Sequence, residues 1–304
     1  MGRMGDVLAG IHATWEFEPD AVLIRFERGI RAPRLYQVLR ERRVPYEALA
    51  SVAVSPGRRG TVVLHAVPRP GADPLMDAAA GQLPEGVDPY RLVLPQEQEK
   101  FADYYADELR GRIEDARISG PGADVEGDCG RAERFLITAP TPPLQFKAYD
   151  GKAVFDGEQV AFRWSRTGAS SAKWKAGDQF FPVSELAGVE WRSPELIDGH
   201  LRLVRRGAGP QDGEQAEKDP AAVVFGAGYG PVHESLPFAA AVLAAVRKAA
   251  PVAVPAGVPS GVAVAGRDPA AVAERIRHLG ELYQAGLVTD EEFAAKKAQL
   301  LDEL

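Results

Sequence analysis

Two short stretches decide the fold: VPYEALASV at residues 44–52 and FPVSELAGV at residues 181–189. They lie 137 residues apart and keep a proline, a leucine and a final valine in the same positions. Ordered similarity at one fixed separation is typical of an internal duplication. We therefore predict two copies of one structural unit.

The residues around each stretch predict β-structure. Before it, an acidic turn at residues 17–20 or 155–158 joins two apolar strands, ending in VLIRF or VAFRW. This pattern is typical of a β-hairpin. After it, TVVLHAV from Thr61 and HLRLVRR from His200 continue the strand pattern, and each is followed by a long loop that returns to an apolar strand.

Each copy then changes to a helical period. One apolar face is expected on a helix over about 97–115, made of Phe101, Tyr104, Tyr105, Leu109 and Ile113. A shorter helix is expected to place Phe238, Val242 and Val246 on one face. We predict a mainly β (α+β) fold: two tandem, partly open β-barrels of about six strands, each closed at one end by its C-terminal helix. A β-sandwich with a trailing helix is the alternative.

Composition shifts divide the chain into five segments. Glycine and proline mark a linker after the first copy, and an uncharged stretch at 249–266 cannot build a core. The predicted segments are a first domain at 10–117, a linker at 118–143, a second domain at 144–249, a Pro/Ala/Val/Gly tether at 250–267 and a helical hairpin at 268–304.

The last segment carries clear helix boundaries. Asp268 and Pro269 begin one helix, Gly286 ends it, and Thr289 with Glu292 forms the capping box of a second. Two short amphipathic helices do not close a core alone, so we expect the hairpin to pair with another copy or with a protein partner. The predicted oligomerisation residues are Ile276, Leu279, Tyr283, Leu287, Phe293, Leu300 and Leu301.

Charge and cysteine content exclude several classes. The chain of 304 residues has 36 Lys and Arg against 43 Asp and Glu, a net charge of -7, so a nucleic-acid partner is not expected. Cys129 is the single cysteine and forms no internal disulfide. The start lacks the apolar core of a signal peptide, and the longest apolar run is too short to span a membrane. We expect a cytoplasmic protein, with the inner face of the membrane as the alternative location.

No pattern of catalytic residues is recognisable. The histidines at 12, 65, 200, 233 and 278 are never within a helical turn of one another, and no nucleophile elbow or phosphate-binding loop occurs. We therefore expect no catalytic residue, no metal and no cofactor, and predict that the protein is not an enzyme. A clustered acid and base in a deep pocket would revive that alternative.

The most distinctive feature is local positive charge. Residues 25–60 hold nine arginines against three glutamates. Candidate residues for binding an anionic partner are Arg28, Arg31, Arg34, Arg40, Arg42 and Arg43 in the first copy and Arg163, Arg166, Lys173 and Lys175 in the second. Three interpretations remain open: the charges prevent aggregation at a strand edge, they bind an acidic protein partner, or they bind an anionic lipid. The aromatic residues Trp164, Trp174, Trp191, Phe180 and Phe181 are assigned to the second core.

Two resemblances follow from these residues. The tail LGELYQAGLVTDEEFAAKKAQLL, within residues 276–304, resembles the short C-terminal domain (SHOCT) family, which implies an oligomerisation or interaction tag. Residues 10–250 are similar to a bacterial family of unknown function with two pleckstrin-homology-like domains. That resemblance implies head-group binding by a basic loop at the open end of a barrel. The sequence thus favours a non-enzymatic bacterial scaffold that binds a protein or peptide, the alternative being a peripheral membrane adaptor that binds anionic lipid through the first domain.

Overall fold

The structure, a computed structural model, describes residues 6–119, 131–207 and 215–249. The predicted tether and helical hairpin, and part of the predicted linker, lie outside the described residues. Within these ranges, no helix combines the length and the apolar character that crossing a lipid bilayer requires.

The first repeat, as described, consists of a four-stranded and a three-stranded antiparallel sheet. The sheets have the order β1-β2-β3-β4 and β5-β6-β7, with β1 (Asp6–Ala9), β2 (Ala13–Phe17), β3 (Ala21–Phe26), β4 (Glu41–Pro45), β5 (Leu49–Pro56), β6 (Thr61–Pro68) and β7 (Arg91–Pro95). Helix α1 (Arg34–Leu39) follows β3, α2 (Pro74–Ala79) follows β6, and the long α3 (Glu99–Ser119) follows β7.

The second repeat has the same plan. Its sheets have the order β11-β10-β9-β8 and β12-β13-β14, with β8 (Leu144–Lys147), β9 (Gly151–Phe155), β10 (Gln159–Trp164), β11 (Gln179–Pro182), β12 (Leu186–Arg192), β13 (His200–Arg205) and β14 (Ala222–Val224). Helix α4 (Ser171–Ala176) stands where α1 stands in the first repeat, and α5 (Val232–Ala249) follows the last strand as α3 does.

A matching irregularity marks both copies. One turn of 3-10 helix, Tyr46–Ala48 or Val183–Glu185, joins the two sheets of each repeat. The next strand then shifts register, between Leu49 and Ser51 in β5 and between Leu186 and Gly188 in β12. Because these bulges re-aim a strand and lie at the predicted separation, they support the duplication. The predicted mainly β fold is confirmed; the described strands do not close into a barrel.

The core of the first repeat lies between its sheets and α3. Trp15 is completely buried, and the ring of Phe17 stacks on Tyr105 with centroids 4.5 Å apart. The predicted face of α3 is correct for Tyr105, Leu109 and Ile113 and wrong for Phe101 and Tyr104, which are exposed. Small alanines of α3, such as Ala102, occupy the buried face instead, because they let the helix lie close to the sheets.

The second core lies between the sheets of the second repeat and α5. Phe238, Val242 and Val246 of α5 are buried, as the helical period predicts. The aromatic prediction is correct for Trp191 and Phe181. It is wrong for Trp174 and Phe180, which are more than half exposed, whereas Trp164 is partly buried and packs against the second core.

The two repeats share a packed contact through α2. Asp73 caps this helix by accepting from the Leu75 amide, 2.9 Å away, and Leu75 is completely buried in the second core. The side chain of Gln82 bonds to the main chain of the second repeat, accepting from the Ser193 amide. Arg247 of α5 donates in return to the carbonyl oxygen of Gly71. The described residues thus belong to one compact unit.

Candidate functional site

Arg42 of β4 lies inside the first repeat. Its guanidinium donates to Asp73 over 2.6 Å, and the hydroxyl of Tyr90 donates to the other oxygen of Asp73 over 2.6 Å. Burial alone would lower the pKa of Arg42, but the charge of Asp73 raises it above its ordinary value. Burial raises the pKa of Tyr90 well above its usual range, so the phenol keeps the proton that it donates. Arg42 therefore holds α2 in place and is not accessible to a ligand.

Arg43 and its strand neighbour Arg25 are exposed but paired. Arg43 contacts Glu18 and Asp20, and its hydrogen bond lowers the pKa of Asp20. Arg25 contacts Glu16 at 2.5 Å and Glu41 at 3.2 Å. These arginines are already neutralised by carboxylates of neighbouring strands and of the turn between β2 and β3, so they add little to the potential that a partner would meet.

The other four predicted arginines lie on α1 or in the segments directly beside it, and we call them the α1 surface: Arg28, Arg31, Arg34 and Arg40. All four are exposed, and none forms an ion pair with another described residue. Ile30 lies among them with its side chain entirely exposed, at 105%.

Buried residues of α1 hold this surface firmly. Leu35 lies in the second core, and the ring of Tyr36 stacks on Phe26 with centroids 4.5 Å apart. The hydroxyl of Tyr36 donates to the Asp88 carbonyl over 2.7 Å, and burial raises the pKa of this tyrosine. The helix ends at Leu39, and the next residue, Arg40, has a φ of 59° that turns the chain into β4. The α1 surface is therefore a fixed part of the fold.

In the second repeat, Lys173 takes the place that Tyr36 has in the first. It is completely buried, and its ammonium lies 2.5 Å from Asp150 and 5.0 Å from the centre of the Trp164 ring. Burial lowers the pKa of Lys173, although Asp150 favours its charged form. Asp150 also accepts from the Val224 amide over 3.0 Å. Lys173 thus ties α4 to the β8–β9 turn and is not available to a partner.

The remaining predicted residues of the second repeat are exposed: Arg163, Arg166 and Lys175. Arg163 lines a pocket of about 480 Å³ that is partly open to solvent. We call it the β8–β9 pocket. Its other lining residues include two lysines, three aromatic residues and two hydroxyl residues: Lys147, Lys152, Tyr149, Trp164, Tyr229, Ser165 and Thr167.

Three cations of the β8–β9 pocket stand in one row across the sheet. Lys147 of β8 lies directly opposite Lys152 of β9, which lies directly opposite Arg163 of β10. None of the three forms an ion pair with another described residue, and none of the described residues that line the pocket is acidic. Sequence reasoning missed both lysines, because only the strand register places them beside Arg163.

Two glycines shape the pocket. A Cβ atom on Gly151 would lie 2.6 Å from the carbonyl oxygen of Arg163, and one on Gly168 would lie 2.1 Å from that of Tyr149. The backbone approaches so closely at both places that no larger residue fits without a shift. The aromatic rings of Tyr149 and Tyr229 meet edge to face, with centroids 6.1 Å apart.

The predicted oligomerisation residues, from Ile276 to Leu301, lie outside the described residues. Within the described ranges, no three His, Cys, Asp or Glu side chains come together in a way that could hold a metal ion.

Duplicated units with basic surfaces, followed by a short tail, define a class of tandem-repeat β protein. The chain belongs to the family described as Domain of unknown function (DUF4429), which matches it twice, at residues 15–110 and 153–243. The family described as Short C-terminal domain (SHOCT) matches residues 274–301. These matches confirm the two family resemblances predicted from the sequence, one to SHOCT and one to a tandem family of unknown function. The comparison with curated proteins gave no match.

Proposed function

We propose that the protein is a non-enzymatic scaffold whose repeats bind a protein or peptide partner and whose SHOCT tail drives oligomerisation. The observation that carries this proposal is the α1 surface, where four exposed arginines form no ion pair with a described carboxylate and the neighbouring Ile30 is exposed. Guanidinium groups bind carboxylates with two parallel hydrogen bonds. An apolar residue inside a polar rim is the usual arrangement of a protein interface. The partner we propose is an acidic protein segment.

The topology supports a pleckstrin-homology-like assignment of both repeats. Each has a four-stranded sheet, a three-stranded sheet and a helix after the last strand. The edges of the four-stranded sheets are β1 and β4 in one repeat and β8 and β11 in the other, and an added peptide strand would pair there. We propose partner binding on these modules in the cytoplasm, with no catalysis.

The histidines support the absence of catalysis. Each of the four described histidines lies beside a carboxylate of its own: Glu27 for His12, Asp88 for His65, Glu190 for His200 and Glu234 for His233. General acid–base catalysis needs such groups to converge on one bound substrate. These four are distributed over both repeats instead.

Binding of an acidic segment is tested with a fluorescent poly-glutamate peptide. We expect the double variant Arg31→Gln/Arg34→Gln of the full-length protein to bind it more weakly than the wild type. The control, Arg58→Gln/Arg59→Gln, removes the same charge from the turn between β5 and β6. Equal loss in both variants would contradict a specific α1 surface, since it would show a general effect of charge.

Oligomerisation is tested by light scattering after size exclusion. We expect Leu287→Asp/Leu300→Asp to lower the mass per particle, because the charges would disrupt the apolar faces predicted for the tail. Lys296→Ala/Lys297→Ala serves as the control on the same segment. A monomeric mass for the wild-type chain would contradict tail-driven assembly.

A second candidate, peripheral binding to anionic lipid, is favoured by one observation: Ile30 is fully exposed between Arg28 and Arg31. Apolar residues insert at the head-group level while nearby arginines attract anionic lipid. Flotation with phosphatidylglycerol vesicles tests it. Binding that falls with salt and with Ile30→Ser would support this candidate, and no flotation at low ionic strength would remove it.

A further inference from the structure

The β8–β9 pocket of the second repeat lies outside the function proposed above. We propose that it binds a small phosphate ester attached to a planar ring, of about the size of a nucleotide. Three features carry the inference: the row of cations, the exposed aromatic rings, and the size and rigidity of the pocket.

The row of cations has no evident role in the fold. Like charges directly opposite one another in an antiparallel sheet are destabilising. The first repeat forms the same three strands without such a row, with Ala9, Thr14 and Arg25 at the corresponding register positions. Its arginine is moreover neutralised by Glu16 and Glu41. A bound anion would supply in the second repeat the negative charge that carboxylates supply in the first.

Phosphate fits this geometry better than a single carboxylate does. Lys147, Lys152 and Arg163 come from three adjacent strands that lie about 4.8 Å apart, and they present three cationic groups to one place. A phosphate ester carries up to two charges and three acceptor oxygens. The hydroxyl groups of Ser165 and Thr167, which lie 3.3 Å apart in the same pocket, can donate to further oxygens.

The aromatic residues of the pocket are the reason for proposing a ligand with a planar ring. Tyr149 and Tyr229 are about half exposed, at 54% and 43%, although large apolar rings are usually covered. Trp164 lines the pocket too and is held in place, because its indole nitrogen donates to the Gly177 carbonyl over 2.7 Å. Rings at the rim of a basic site stack on a flat ligand while the cations bind its phosphate.

The pocket is preformed and of suitable size. Its volume of about 480 Å³ lies within the range of small-molecule sites. The ion pair of Lys173 and Asp150 fixes the turn between β8 and β9, and Gly151 and Gly168 allow close backbone contacts beside the pocket. Since no phosphate-binding loop is present in the sequence, the strands themselves present the cations.

Isothermal titration calorimetry of the full-length protein tests the proposal with ADP, adenosine and pyrophosphate as probes. We expect ADP to bind more tightly than either fragment, because it alone engages both the cations and the rings. In Lys152→Gln and in Arg163→Gln the affinity for ADP should fall by about tenfold, the loss expected for one charge-assisted hydrogen bond. The control, Lys218→Gln, removes the same charge from an exposed turn of the second repeat outside the pocket lining and should bind as the wild type does.

The aromatic part of the site has its own test. Tyr229→Ser should weaken ADP binding and leave pyrophosphate binding unchanged, since it removes a ring and no charge. Circular dichroism of each variant must match the wild type. Loss of pyrophosphate binding in Tyr229→Ser would overturn the division of roles.

Other outcomes would overturn the assignment. These are no heat with ADP at low ionic strength, the same loss in Lys218→Gln as in Lys152→Gln, and pyrophosphate binding as tight as ADP binding. Tighter binding of a phosphotyrosine peptide, or of vesicles with phosphorylated head groups, would contradict a free small ligand. None of these results bears on the α1 surface, which lies in the first repeat.

Discussion

The first and second repeats share one order of strands but differ at corresponding positions. Where the first has Ala9 and Thr14 beside a neutralised arginine, the second has two lysines beside Arg163. Where Tyr36 stacks on Phe26, Lys173 lies against Trp164. The backbone plan is preserved, while the surface and the polar contacts differ. The same backbone plan therefore accommodates either set of side chains, and the positions where the repeats differ are the ones to examine for function.

The largest expected effect concerns the buried cation of the second repeat. Lys173→Met leaves Asp150 buried without its partner and should lower the free energy of unfolding by about 3–5 kcal/mol. Urea denaturation followed by circular dichroism measures this. Lys173→Met/Asp150→Asn should recover most of the loss, and Lys175→Met, on the exposed side of α4, should change little. An unchanged free energy of unfolding in Lys173→Met would show that the ion pair is not what holds α4.

The contact between repeats gives the next effect. Leu75→Ala should cost about 2–5 kcal/mol, because the leucine is fully buried in the second core. Since Leu75 belongs to the first repeat in sequence, hydrogen exchange should rise in β12 as well as in α2. Ile118→Ala, at a mostly exposed position, is the control. An increase in hydrogen exchange confined to the first repeat would show that the repeats are energetically independent.

Local sequence patterns predicted the main elements but not the polar contacts. The acidic turns, the 137-residue separation and the period of α5 were sufficient for the hairpins, the duplication and the last helix. The pairing of Arg42 with Asp73 was not predictable, because 31 residues separate the partners and only the position of α2 brings them together. Lys147 and Lys152 were missed for the same reason: a row across a sheet depends on register, which sequence spacing does not reveal.

Exchanging a residue between the repeats should have a smaller effect. Lys152→Thr places the residue of the first repeat at the same register position of the second. Removing the central cation of the row should stabilise the protein by about 0.2–1 kcal/mol, as measured in urea. Thr14→Lys in the first repeat should not stabilise it. A destabilised Lys152→Thr would show that the row contributes to folding and would weaken the argument for a ligand.

The smallest expected effect depends on pH. Burial lowers the pKa of His233 below its ordinary value, Glu234 opposes the shift, and Arg34 of the first repeat adds to it. The unfolded chain therefore binds a proton more readily than the folded one, and stability falls as the pH drops through about 6.5. His233→Gln should lose less stability than the wild type between neutral and mildly acidic pH. The same dependence of stability on pH in His233→Gln and in the wild type would contradict this prediction.

The most direct test of the central claim, that the second repeat rather than the first carries the ligand site, is a crystal structure of the protein grown with saturating ADP. We predict phosphate oxygens within about 3.2 Å of Lys152 and Arg163, with the base against Tyr149 or Tyr229. Ligand at the Ala9, Thr14 and Arg25 row, or an empty β8–β9 pocket, would contradict the account.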